Sequence, residues 1–202
     1  MPEQYIIFTG RPNAGKSSTI KALTGLKIAT GKRPGTTTSI DKYEIAQDLF
    51  LVDMPGYGKK VDAPRSWEDK TKENILDFIY EKADQIIAAV HVLNIVTFIE
   101  TEKRLAKKGY ISIDVEMVQY LEENIGEYPF VAANKIDKSN DKQVMENLRA
   151  YINSLTDGEP ELVAGYVYPI SAKKGVGVGE LKKELVSKLQ KNGYHNPFQY
   201  IR

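Results

Sequence analysis

The stretch GRPNAGKSS, residues 10–18, follows the apolar run YIIF and precedes residues that set Ile20 and Leu23 on one helical face before Gly25. Gly10, Gly15, Lys16 and Ser17 satisfy G-x-x-x-x-G-K-[ST], and the flanking pattern reads strand, loop, helix, the context in which this loop cradles phosphate. Its glycines let successive backbone N–H groups face phosphate oxygens, and the helix start adds partial positive charge. Lys16 then reaches the outer phosphates, and the Ser17 hydroxyl ligates Mg²⁺.

The remaining pattern alternates strands with helices. IDKYEIAQDLFLVDMPG reads as two strands joined tightly at Gln47 and Asp48; QIIAAVHVL and YPFVAANK read as buried strands, and LVAGYVYPISA as the last one. Between them, Ser66 is placed to cap a helix carrying Ile75, Phe78, Ile79 and Lys82. TEKRLAKKG and DVEMVQYLEENIG read as helices closing on glycines. Val144, Leu148, Ile152 and Leu155 mark one further apolar helical stripe, and Leu181, Leu185 and Leu189 another. The expected fold is α/β: a P-loop, three-layer arrangement with a mostly parallel six-stranded sheet and one antiparallel edge strand. Ligands of such sheets sit beyond the carboxyl ends of the strands, where each suspicious loop here falls.

A phosphate loop alone does not select the base. The tetrapeptide NKID, Asn134 to Asp137, closes a buried strand. The Asp137 carboxylate accepts from the N1–H and 2-amino group of guanine, whereas adenine presents an acceptor and no 2-amino group. Two charge-assisted bonds of about 1.5–3 kcal/mol each correspond to roughly 10²- to 10⁴-fold discrimination. Asn134 can bridge loops beside the base, and the Lys135 stem can cover its face. PGTTT, in the long loop after the first helix, supplies a threonine hydroxyl for the Mg²⁺ shell. DMPG ends the third strand, with Asp53 holding Mg²⁺ through water and the Gly56 N–H near the γ-phosphate. SAK offers the Ala172 N–H to guanine O6. The loops around Thr37 and Gly56 would be ordered by the γ-phosphate and released after hydrolysis.

Taken in order, GRPNAGKSS, RPGTTT, DMPGYG, NKIDK and SAK resemble the translation-factor-related GTPases, and among them the EngB type; ISIDVEMVQYL resembles its archaeal branch. The resemblance runs from about Tyr5 to Gln190. It implies nucleotide contacts from Gly10, Arg11, Pro12, Asn13, Ala14, Gly15, Lys16 and Ser17. It implies more from Gly35, Thr36 and Thr37, and from Asp53, Met54, Pro55 and Gly56. The base contacts implied are Asn134, Lys135, Ile136 and Asp137 with Ile170, Ser171 and Ala172. Mg²⁺ ligands would be Ser17 and Thr37, joined by the water-mediated Asp53. The family association is with assembly of the large ribosomal subunit and with normal septation and cell division. The expected organisation is a GTPase domain over residues 1–190 and a tail over 191–202.

Which groups drive hydrolysis is less legible. Lys16, Thr37 and Gly56 are the expected catalytic set. Asn13 joins them if its side-chain carbonyl coordinates K⁺, a cation that GTPases resembling this one use in place of an arginine finger; otherwise Asn13 only forms the loop. Tyr57 stands where many signalling GTPases carry a water-orienting glutamine, and it either bears on hydrolysis or packs on a neighbouring helix. A small-molecule kinase or ATPase is opposed by NKID and SAK. A GTP-binding module without hydrolysis and a GTPase with a ribosome-independent partner stay open. His91 lies in an expected buried strand and reads as a core residue, whereas His195 reads as exposed.

The net charge of +1 over 202 residues announces no general affinity for nucleic acid or anionic membrane, so KRLAKK and KKELVSK read first as solvated faces. Cysteine is absent, which excludes a disulfide framework and a cysteine-based metal site. MPEQYIIFTG lacks the pattern of a secretory signal, and the most apolar run is interrupted by His91 and Asn94. A cytoplasmic monomer with no membrane span is expected.

Overall fold

The run before the glycine loop is a strand buried from Tyr5 to Thr9, the pattern of a central strand paired on both edges and covered on both faces. The computed structural model describes residues 2–26, 28, 39–57, 65–110 and 112–198, with the side chains of 65–68 excepted. Its elements run β1 (Gln4–Thr9), α1 (Lys16–Thr24), β2 (Asp41–Ala46), β3 (Leu49–Asp53), α2 (Arg65–Lys82) and β4 (Ile86–Asn94). They continue with α3 (Phe98–Ala106), α4 (Ile113–Ile125), β5 (Phe130–Asn134), α5 (Asp141–Thr156), β6 (Val167–Pro169) and α6 (Val178–Lys191). The sheet order is β2-β3-β1-β4-β5-β6, with β2 antiparallel to β3 and every other pair parallel. Strand order reverses at β1, so the loop after β1 opens at the switch point, where α/β sheets bind ligands.

Alternation along β1 divides the core. Ile6 and Phe8 face one side with Ile20 and Leu23 of α1 and Leu181, Leu185 and Leu189 of α6. Tyr5 and Ile7 face the other with Ile75 and Ile79 of α2 and Met117 and Leu121 of α4. A third cluster joins Leu93 of β4 to Phe98, Val144, Leu148 and Tyr151. The stripe of α5 accordingly runs through buried Tyr151, with Ile152 only partly covered.

Helix ends follow the glycines. The Gly25 and Gly126 N–H groups return to Lys21 O and Glu122 O. After Ala106, Gly109 N–H donates to Ala106 O and Tyr110 N–H to Leu105 O, which closes α3 on its glycine as the pattern predicts. Two expectations are corrected. Ser66 lies inside α2, which begins at Arg65, and not at the position before its first residue. The last strand is only Val167–Pro169. Residues Pro160–Val163 turn in a 3₁₀ helix, Gly165 takes a left-handed φ of 83°, and pairing to β5 stops at Pro169. Tyr194 and Phe198 pack against the α1/α6 cluster, and His195 is exposed. No helix among the described residues is long and apolar enough to cross a membrane.

Candidate nucleotide-binding site

The loop between β1 and α1 fits its space only because two of its residues lack a side chain. At Gly10 (φ 142°) a Cβ would lie 2.1 Å from Val92 O; at Gly15 (φ 106°) it would lie 2.2 Å from Asn134 Nδ2. Helix α1 starts at Lys16 with no side chain capping its first turn, so its leading N–H groups are open to an anion. The Lys16 side chain is buried and folds back on the loop, donating to Gly10 O at 3.0 Å and to Arg11 O at 3.4 Å. Burial lowers its pKa to about 8, against the opposing pull of Asp53 and Asp114.

Asp53 closes β3 beside it. Ser17 Oγ donates to Asp53 Oδ2 at 3.0 Å, and Asp53 Oδ1 is buried with no hydrogen-bond partner among the described residues. Desolvation raises the Asp53 pKa, opposed by Lys16 and by the Ser17 hydroxyl. A buried carboxylate oxygen without a partner beside a serine hydroxyl is a donor set that fits a small hard cation. Met54 N–H donates to Phe8 O at 3.1 Å, extending the β3–β1 pairing by one residue. A Cβ on Gly56 would come within 2.8 Å of Pro12 Cα and N, so the DMPG loop lies directly on the phosphate loop.

The base-side residues hold one another. Asn134 is buried at the end of β5; its Nδ2 donates to Ala14 O at 3.0 Å, while its Oδ1 accepts from Lys135 N–H at 2.8 Å and Ala172 N–H at 3.0 Å. Asn134 thus bridges the phosphate loop and the SAK turn. Lys135 has a left-handed φ of 73° and sends its Nζ to Asn13 O; desolvation lowers its pKa. Asp137 is exposed, and its Oδ1 accepts from Ser171 Oγ at 2.7 Å, the main reason its pKa is lowered. Ile170 N–H donates to Ala133 O and Ile136 N–H to Ile170 O, which fixes the two turns against each other. The Ala172 N–H, expected at guanine O6, is engaged here by Asn134.

The chain therefore brings together the loops of residues 10–17, 53–56, 134–137 and 170–172. Gly35, Thr36 and Thr37 lie outside the described residues. Tyr57 packs: it is 1% exposed and sits in the α2/α4 cluster with Met117 and Leu121. What sequence reasoning missed is its polar company. The Tyr57 hydroxyl is 3.4 Å from His91 Nδ1, and His91 Nε2 is 3.2 Å from Asp114 Oδ1. The available signal was an acidic residue in the first turn of a helix opposite a buried histidine.

Residues 5–135 match the family described as 50S ribosome-binding GTPase. The chain is 38% identical to the probable GTP-binding protein EngB of Methanopyrus kandleri, over 100% of this chain and 99% of that protein. It is also 38% identical to the probable GTP-binding protein EngB of Pyrococcus horikoshii, over 92% of this chain and 83% of the relative. A crystal structure of a probable GTP-binding protein EngB, 35% identical, superposes with a TM-score of 0.81 and covers 93% of this chain and 99% of that one. Aquifex aeolicus Era, solved as its Y63A variant with GDP·AlF₄⁻, shares the fold at 22% identity and a TM-score of 0.61, over 93% of this chain and 57% of that one. With the phosphate loop, DMPG, NKID and SAK assembled at one end of a six-stranded sheet, the chain belongs to the EngB family of GTP-binding proteins and is a GTPase.

Proposed function

We propose that this GTPase is a slow, Mg²⁺-dependent cytoplasmic switch, monomeric in itself, whose GTP form docks on the large ribosomal subunit or its precursor. The observation that carries the nucleotide chemistry is the meeting of buried Lys16, Ser17 and the unpartnered Asp53 Oδ1 at the start of α1. Mg²⁺ held by Ser17, by Thr37 and through water by Asp53 would offset phosphate charge. Lys16 would exchange its loop carbonyls for the outer phosphates. The residues from Gly10 to Ser17 other than Pro12 supply N–H donors along them, and the Gly56 N–H donates to the γ-phosphate as negative charge shifts during cleavage. Asp137 reads the guanine edge, with Ser171 holding its orientation, while Asn134, Lys135, Ile136, Ile170 and Ala172 frame the base. Residues 1–190 form the GTPase domain, and 191–202 are its tail.

Asn13 supports a role for K⁺. It has a left-handed φ of 62°; its backbone oxygen accepts from Lys135 Nζ, and its exposed side chain makes no hydrogen bond among the described residues. The fold neighbour NFeoB of S. thermophilus, with a TM-score of 0.52, was solved with GDP·AlF₄⁻ and K⁺. Single-turnover hydrolysis is expected to run faster in K⁺ than in Na⁺ at equal ionic strength, with Asn13→Ala removing the difference. Equal rates in wild type reduce Asn13 to a loop former.

The ribosomal reading rests on the family description, and impaired septation on depletion is its expected cellular consequence. Sedimentation of the protein with purified large subunits tests it. Co-migration with a non-hydrolysable GTP analogue and release with GDP is the expected result. Absence from the subunit peak in both states at low salt points to a ribosome-independent partner.

A further inference from the structure

Strand β4 is a run of Ile, Ala, Val and Leu interrupted by one wholly buried polar residue short of its end, His91. Burying an imidazole in such a strand costs free energy unless both nitrogens are satisfied. Both are. Nδ1 lies 3.0 Å from Thr9 Oγ1, its register partner on β1, and 3.4 Å from the Tyr57 hydroxyl; Nε2 lies 3.2 Å from Asp114 Oδ1. Arg11 Nη1, from the phosphate loop, is 3.8 Å from the other Asp114 oxygen. A carboxylate has no proton to donate, so Nε2–H faces Asp114, and the one Nδ1 lone pair is shared, accepting chiefly from the Thr9 hydroxyl and more weakly from the Tyr57 hydroxyl. Asp114 is itself anchored in the first turn of α4, where the helix start favours a carboxylate and Ser112 Oγ accepts from Val115 N–H.

The chain of dependence has one direction. Helix α4 places Asp114, Asp114 sets the tautomer and rotation of His91, His91 holds the Tyr57 hydroxyl, and Tyr57 is covalently next to Gly56. A structural role alone would be met by any apolar side chain at 91 and by phenylalanine at 57. We infer that His91 and Asp114 are positioning residues for GTP hydrolysis, acting through Tyr57 to hold the Gly56 peptide in place. The inference rests on the proposed contact of the Gly56 N–H with the γ-phosphate.

The test is single-turnover hydrolysis at saturating GTP and Mg²⁺ in full-length protein, with nucleotide affinities and thermal unfolding measured on the same samples. Tyr57→Phe keeps the ring and removes one hydrogen bond, so the rate is expected to fall about three- to tenfold, with GDP and GTP-analogue affinities within about twofold of wild type. Asp114→Ala is expected to fall at least as far. Asp114→Asn keeps an oxygen that accepts from Nε2–H and restores most of the rate. Imidazole ¹⁵N shifts report the cause: His91 is the Nε2–H tautomer in wild type and in Asp114→Asn, and a mixture of tautomers in Asp114→Ala. If Asp114→Ala does not fold, the comparison rests on Tyr57→Phe and Asp114→Asn. A wild-type rate in Tyr57→Phe overturns the inference, as does an affinity loss equal to the loss of rate. With Tyr57→Phe unimpaired, amide hydrogen exchange decides the Gly56 contact separately: a Gly56 N–H protected with a GTP analogue and not with GDP leaves it standing, and equal exchange in both states removes it.

Discussion

Two polar networks meet at the phosphate loop, and they are built to different tolerances. On the base side, the bonds linking Asn134, Lys135, Asp137, Ser171, Ala172 and Ala14 span 2.7–3.0 Å and run between short side chains and neighbouring backbone. On the switch side, the links run 3.4 Å from Tyr57 to His91, 3.2 Å from His91 to Asp114 and 3.8 Å from Asp114 to Arg11, with Thr9 at 3.0 Å from His91, and they join side chains from separate segments. The base side is preorganised, so binding guanine costs little rearrangement. The switch side instead depends on the packing of distant segments to bring its partners within reach.

The largest effect expected of any substitution lies on the tight side. Asp137→Asn should cost roughly 10²- to 10⁴-fold in GTP affinity. It should also confer preference for xanthosine triphosphate, because the amide donates to the 2-oxo group that a carboxylate repels. Competition binding with both nucleotides reads this out, and an unchanged preference removes Asp137 from the base site.

Next in size is a pH effect at Lys16, whose ammonium lies on the phosphate-loop carbonyls of Gly10 and Arg11. Its pKa is about 8 when folded against an ordinary 10.5, so below pH 8 it is charged in both states and its burial penalty is felt in full. Between pH 8 and 10.5 the unfolded chain binds the extra proton, and the stability of nucleotide-stripped protein should rise by roughly 3 kcal/mol. Urea unfolding across this range checks it, with Lys16→Met lacking the rise and GDP flattening it by giving the ammonium an anionic partner.

Asn134→Ala follows. It leaves the Ala14 carbonyl and the Ala172 N–H without their partner, a loss of about 1–3 kcal/mol, or roughly five- to 150-fold in nucleotide affinity by titration. Smallest is Ser171→Ala, worth about three- to tenfold in GTP affinity. The Ser171 hydroxyl is the main reason the Asp137 pKa is lowered, so its removal should also shift the acid limb of GTP binding to higher pH. An acid limb that stays in place would mean the base-side bonds are less coupled than their lengths imply.

The two sides also differed in how far they could be read beforehand. On the base side, residues are close in sequence to a strand end, and the order Asn134, Lys135, Asp137 carries its own geometry. On the switch side, Tyr57 was legible as a departure from glutamine but not as an anchor, because its partner His91 is 34 residues away and Asp114 a further 23. The weak edge of the sheet misled in a similar way. The apolar run at 162–172 reads as one strand, yet Gly165 turns the chain and the register pairs with β5 are confined to Val167–Pro169.

By itself the sequence determined the buried strands, the helix faces and the loops that carry phosphate and guanine chemistry. Each of these depends on backbone conformation and side-chain period within a few residues, which local order records. Tertiary structure alone decided which buried polar groups meet. The register that sets Thr9 beside His91 and the packing that lays the first turn of α4 over β4 are products of the whole sheet and its helices. A hydrogen bond is made or lost within a few tenths of an ångström, far finer than any periodicity can specify.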